Sequence, residues 1–147
     1  MATKDEVYRV EYYVYMADDK PGEGATLGRK LAQEGVNLYA LSAFPSSPGK
    51  TQVDLVPENA EQFVKAAKKH ALSLSGPKTC FLIQGTDRTG AIGEVLGRLG
   101  NAGINARATL GACAGGKRYG GILWVAPKDV ESAARALGAT SAAVHKV

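Results

Sequence analysis

From Val7 the chain alternates as VYRVEYYVYM, with Tyr8, Val10, Tyr12, Val14 and Met16 on one side and Arg9 and Glu11 on the other. A period of two with aromatic and β-branched content predicts a strand. On this phase the first set faces the core, and Tyr13 and Tyr15 point away from it. Residues 17–20 are polar and form a loop, and Pro21 suits the first turn of a helix, where its missing N–H costs nothing. Leu27 and Leu31 give that helix an apolar face, which Gly24 and Gly28 share, as if to let it approach a sheet closely. Gly35 supplies the stop. Val36 to Phe44 reads as a strand, SSPG at 46–49 as a turn, and Thr51 to Val56 as a third strand. Pro57 opens a second helix running to about His70, and 72–74 makes a short fourth strand.

The same order follows again. Thr79 to Gln84 is an apolar strand. Thr89, or Asp87, is placed to cap the next helix, and Ile92, Val95, Leu96 and Leu99 fall on one helical face. Gly103 ends it. Ile104 to Cys113 is a strand, AGGKR a hairpin turn, Tyr119 to Val125 a strand, Pro127 the start of a last helix, and 142–145 a closing strand. The element order is βαββαβ twice. Aligned without gaps, residues 19–37 and 87–105 agree at five of 19 positions: Asp19/Asp87, Gly22/Gly90, Leu31/Leu99, Gly35/Gly103 and Asn37/Asn105. A repeat of about 70 residues with one element order marks a duplicated module. The joint is SGPK, 75–78, giving domains 1–76 and 77–147.

Composition narrows the class. The 147 residues carry 18 basic and 14 acidic side chains, a net charge of +4, with no dense Lys/Arg block. That balance makes nucleic acid an unfavoured partner. No run approaches the length of a membrane span. Cys80 and Cys113 lack metal or redox spacing, and His70 and His145 make no triad with them. No metal, cofactor or catalytic site is expected, and two free thiols suit the cytoplasm.

DDKPGEGATLGRKLAQEGVNL and TDRTGAIGEVLGRLGNAGINA both show a tight Asp-x-x-Gly loop, a helix, and Gly-aliphatic-Asn entering a strand. This resembles the ACT domain, the amino-acid-binding regulatory module of many biosynthetic enzymes. The first copy departs at Gly24, where that family has an aliphatic residue and the second copy has Ile92. The resemblance implies an α+β fold of two ferredoxin-like βαββαβ units in tandem, with antiparallel sheets and helices on one face. It further implies that modules pair side by side, with ligand held where the first βα loop of one faces the second strand of another, and no catalytic centre.

The residues give this physical sense. Gly22 and Gly90 leave the helix entrance open, so that backbone N–H groups and the helix dipole can receive a carboxylate. Asp19 and Asp87 can accept hydrogen bonds from an ammonium, although an aspartate before a helix equally serves as a plain cap. Asn37 and Asn105 carry donors and acceptors suited to reach across a module interface, and equally serve as turn residues after the glycine. The candidate ligand-binding set is therefore Asp87, Arg88, Thr89, Gly90 and Asn105, with Asp19, Lys20, Pro21, Gly22 and Asn37 as a weaker equivalent.

The function expected is a regulatory or sensor protein that binds a small molecule, most simply an amino acid, and forms a homodimer through a sheet face bearing Tyr13, Tyr15 and Tyr39. Two alternatives stand beside it. One is a non-catalytic regulatory subunit of a metabolic enzyme. The other is an RNA-binding sheet, whose aromatic octamer KRYGGILW at 117–124 matches loosely at Lys117, Tyr119, Gly120 and Ile122; Gly121 stands where the aromatic that stacks on a base should be, and Arg118 replaces a glycine.

Overall fold

The structure, a computed structural model, describes residues 5–141 and 144. These residues form two compact units, one of Glu11–Lys78 and the other of the residues up to Val10 together with those from Thr79 onward. The elements run β1 (Glu6–Asp18), α1 (Glu23–Gln33), β2 (Leu38–Ser47), β3 (Lys50–Pro57), α2 (Ala60–Lys69), β4 (Leu74–Thr86), α3 (Ala91–Asn101), β5 (Ala106–Gly115), β6 (Arg118–Val125), a 3-10 turn (Pro127–Asp129) and α4 (Val130–Leu137). The α+β class and the repeated element order are those of two tandem ferredoxin-like units. The expected strand at 142–145 lies outside the described residues, apart from Val144.

In Glu11–Lys78, β3 pairs antiparallel with β1 on one side (Tyr13 opposite Leu55) and with β2 on the other (Leu41 opposite Leu55). Leu27 and Leu31 of α1 and Phe63 and Ala66 of α2 cover the face made by Tyr13, Ala17, Val53 and Leu55. In the second unit, β6 pairs antiparallel with β4 and β5. Val95 and Leu99 of α3, with Ala133 and Leu137 of α4, cover Phe81, Ile83, Tyr119 and Leu123. Ile92 and Leu96 pack partly against this core, so all four residues of the expected α3 stripe face inward.

Four expectations change. Tyr13 and Tyr15 face the helices, not solvent: Tyr13 is buried, its ring 5.1 Å from that of Phe63, and Tyr15 packs on the same cluster. β1 is apolar on both sides over Tyr12–Tyr15, so its alternation defines two faces without choosing between them. The exposed-tyrosine motive for a dimer falls with this: of Tyr13, Tyr15 and Tyr39, only Tyr39 is left half-buried outside the two cores. Second, the joint at 75–78 lies inside β4, and the division between the two units falls at the end of that joint, between Lys78 and Thr79. Third, residues 5–10 belong with the second copy rather than with 11–76. Val7 enters the second core, and Thr140 holds this segment by backbone bonds, donating to the Val7 carbonyl at 2.9 Å and accepting from the Arg9 amide at 2.8 Å. Fourth, the two prolines stand outside the helices: Pro21 precedes the Gly22 N-cap, and Pro57 ends β3 while Asn59 caps α2 by accepting from the Gln62 amide at 3.0 Å.

The glycines of α1 do not serve close packing. A Cβ at Gly24 or Gly28 would meet nothing within 4 Å. Replacing Gly28 with alanine therefore relieves the backbone entropy of a helical glycine without steric cost, and is expected to stabilise by about 0.5–1 kcal/mol. Urea titration of Gly28→Ala checks this; a lower midpoint would show that open space at Gly28 is put to use.

Candidate functional site

The two Asp-x-x-Gly loops are built alike. The Asp87 amide donates to the Lys117 carbonyl at 2.8 Å, and the Asp19 amide to the Gly49 carbonyl at 3.0 Å, which ties each loop to the hairpin of its own unit. Each loop ends in a left-handed glycine, Gly90 at φ 85° and Gly22 at φ 91°, and that glycine is the N-cap of its helix. Neither cap has a side-chain hydrogen bond. Thr89 is thus not the cap, and neither aspartate caps its helix. The twofold repetition has a conformational cause: the chain must turn through positive φ to enter the helix, and glycine does so at little cost.

The second loop borders a pocket of about 290 Å³, within its own unit. Asp87, Arg88 and Gly90 form one wall, Ala91–Gly93 the floor at the start of α3, and Gly111–Cys113 of β5 with Tyr119 of β6 the other wall. Ile92 packs across onto the bare backbone of Gly111, where a Cβ would come within 2.8 Å of its Cδ1. First-turn N–H groups of a helix have no partner inside it. Here the Ala91 N–H donates to the Arg88 carbonyl at 3.2 Å, and the entrance has no capping side chain, so the remaining groups of this floor are suited to an anionic group.

The polar groups differ in availability. Asp87 is exposed, and among the described residues its carboxylate accepts only a weak contact, from the Cys113 thiol at 3.5 Å. Arg88 is engaged: it binds both oxygens of Asp5 at 2.9 and 3.0 Å, the Thr86 carbonyl at 3.1 Å, and Glu94. Hydrogen bonds to these two carboxylates push the Arg88 guanidinium further up from its already high range, and the same fork lowers the Asp5 carboxyl. Burial, with Asp5 alongside, pushes the Tyr119 hydroxyl up to about 12.

The remaining candidates lie apart from the pocket. Thr89 is exposed beside it without lining it. Asn105 is exposed just before β5, at the far end of α3, roughly 16 Å from the pocket along an eleven-residue helix. In the first copy, the Asn37 side chain donates to the Glu58 carboxylate at 2.9 Å, joining the start of β2 to the chain after β3. Asp19 accepts from the Thr51 hydroxyl at 3.3 Å, Lys20 sits 3.8 Å from Asp18, and Pro21 is exposed. Sequence reasoning missed Asp5, Gly111, Ala112 and Cys113. Only pairing of β5 and β6 in register, and Asp5's fork to Arg88, bring these to the motif loop. Among the described residues no group of three or more His, Cys, Asp or Glu side chains is placed to hold a metal, and no helix is long and apolar enough to cross a membrane.

Tyr119, the aromatic of the loosely matched octamer, is buried in the helix-side core beneath the pocket and is not on an open sheet face. No protein-family model matches the sequence, and no curated protein matches it. Solved structures do. The chain is similar to protein BT0572 from Bacteroides thetaiotaomicron, at 18% identity and a TM-score of 0.73, over 91% of this chain and 88% of that one. It is similar to the ligand-free regulatory subunit of aspartate kinase from Thermus thermophilus, at 15% identity and 0.63, over 94% and 95%. A putative C-terminal regulatory domain of aspartate kinase from Porphyromonas gingivalis matches at 11% and 0.54, over 93% and 95%. The fold, two tandem ferredoxin-like units, is therefore one that these proteins share. The correspondence runs nearly end to end in each of the three.

Proposed function

We propose that this chain is a non-catalytic regulatory or sensor protein that binds a free amino acid in the pocket between the Asp87–Gly90 loop and β5. The observation that carries the reading is the pairing of an uncapped helix entrance with a free carboxylate on one small pocket. The entrance receives the ligand's carboxylate, and Asp87 receives its ammonium. Neither role requires Thr89. The first copy, with Asp19 engaged by Thr51, is the weaker equivalent. Likeness in fold to aspartate kinase regulatory subunits supports a regulated enzyme as partner. Neither Cys80 nor Cys113 is in a disulfide, which fits the cytoplasm.

Calorimetry against the standard L-amino acids tests the site. Asp87→Ala is expected to weaken binding by about tenfold, the loss of one charge-assisted hydrogen bond. Unchanged affinity in Asp87→Ala with loss in Asp19→Ala would move the site to the first copy. Silence from every amino acid on the unmodified protein would end the reading.

Dimerisation keeps a place in the proposal on new grounds. β5 is an edge strand with nine of ten residues exposed, Leu110 at 47%, and β2 is an edge bearing Leu41 at 49% and Phe44 at 42%. Open edges with apolar side chains favour pairing with another strand. A second copy on β5 would cover the pocket's outer wall, and ligand would then favour the paired state. Light scattering checks it: a mass held at 15.3 kDa across the whole concentration range removes the dimer.

A further inference from the structure

Asp5 stands over eighty residues before Arg88, yet its carboxylate has no exposed surface and grips that guanidinium by both oxygens. Its seat is made by Gly85: a Cβ there would lie 2.3 Å from Asp5 Oδ1 and 2.5 Å from Tyr119 Cε1. The Tyr119 hydroxyl is buried beside the same carboxylate, with no other partner among the described residues. A buried carboxylate left alone would be costly, so the fork is strongly held. Meanwhile Asp87, next to Arg88 on the same pocket wall, is left with only a thiol contact among the described residues.

We propose that Asp5 is a positioning residue that keeps Arg88 away from Asp87, so that the Asp87 carboxylate stays available to a cationic group in the pocket. The inference rests on the amino-acid reading above for its ligand, but its geometry stands independently. A free arginine beside a free aspartate on a pocket wall would pair with it and occupy the place meant for an ammonium. Two anions, Asp5 below and Glu94 on α3, hold the arginine in reserve instead. Gly85, buried in β4 immediately before the loop, is required for this because any side chain would displace Asp5.

The test compares Asp5→Asn, the double variant Asp5→Asn/Arg88→Gln and Glu94→Gln by calorimetry with the standard L-amino acids. Asn has the shape of Asp but no charge and leaves Arg88 to the exposed Glu94 alone, so Asp5→Asn should lose about tenfold in affinity. Removing the loosened arginine should recover most of that loss in the double variant. Glu94→Gln removes the exposed half of the same hold and should weaken binding by about threefold, which keeps the test decisive if Asp5→Asn does not fold. Unchanged affinity in Asp5→Asn, no recovery in the double variant, or unchanged affinity in Glu94→Gln would each overturn the proposal. A ligand-free readout separates this from failure of the amino-acid reading. Cys113 is exposed beside Asp87, and Cys80 is buried. A guanidinium arriving at Asp87 favours the Cys113 thiolate, so iodoacetamide labelling of Asp5→Asn should speed up by roughly threefold or more over the unmodified protein. An unaltered labelling rate would overturn the proposal even if no amino acid binds at all.

Discussion

Replacing Phe63 with alanine is expected to destabilise the Glu11–Lys78 unit by about 3–5 kcal/mol, the range for emptying a fully buried aromatic site. Phe63 is 0% exposed at the centre of that unit's core, beneath Leu27 and Leu31 and against the ring of Tyr13, with centroids 5.1 Å apart and planes at 51°. The tilted pair adds roughly 0.5–1.5 kcal/mol that the alanine also forfeits. A loss of this size is comparable to the whole stability of a small domain. Guanidinium titration followed by tyrosine fluorescence measures it. Phe63→Leu, which keeps most of the volume, should lose well under half as much. A loss below about 1 kcal/mol in Phe63→Ala would mean that Tyr13 and α2 do not pack as described.

The second large effect lies in the sheet behind the pocket. Gly121 of β6 faces Gly111 of β5 in register, and a Cβ on Gly121 would stand 2.8 Å from the Leu110 carbonyl oxygen. The neighbour is backbone, so no rotamer change relieves the contact, and β5 must move off β6. Overpacking of this kind costs about 1–3 kcal/mol, and Gly121→Ala should lose that much in thermal or urea unfolding. Because Gly111–Cys113 form the outer wall of the pocket, the same shift should weaken amino-acid binding more than the Gly28→Ala substitution does. A fully stable Gly121→Ala would contradict the β5–β6 register. This glycine is also the position at which the RNA-binding pattern failed in the sequence; the structure gives the reason, which is strand approach and not lost stacking.

The βαββαβ order, the duplication and both motif loops were legible along the chain, because each depends on short-range chemistry. Alternation made the strands, Val95 and Leu99 four apart made an inward helical face, and glycines at Gly22, Gly90, Gly35 and Gly103 met turns that need positive φ. Asp87 and Gly90 were reached the same way, since both belong to one tight loop. Pro21 and Pro57 misled, because a proline fits the residue before a cap or the last residue of a strand as well as it fits the first turn of a helix.

What only the tertiary structure decided were pairings between distant residues. A doubly apolar strand such as β1 does not state which side takes the helices; Phe63 and Leu27 settle it by packing on Tyr13 and Ala17. The sequence joint at 76 reads as a boundary, yet a strand can run through it, and residues 5–10 are held by Thr140 and by the second core. The outer wall of the pocket comes from β5 through its register with β6, and Asp5 enters through a buried ion pair spanning over eighty residues. Local pattern therefore determined the modules and their loops, while long-range burial and charge pairing determined which groups in those loops are engaged, as Arg88 is, and which are left open, as Asp87 is.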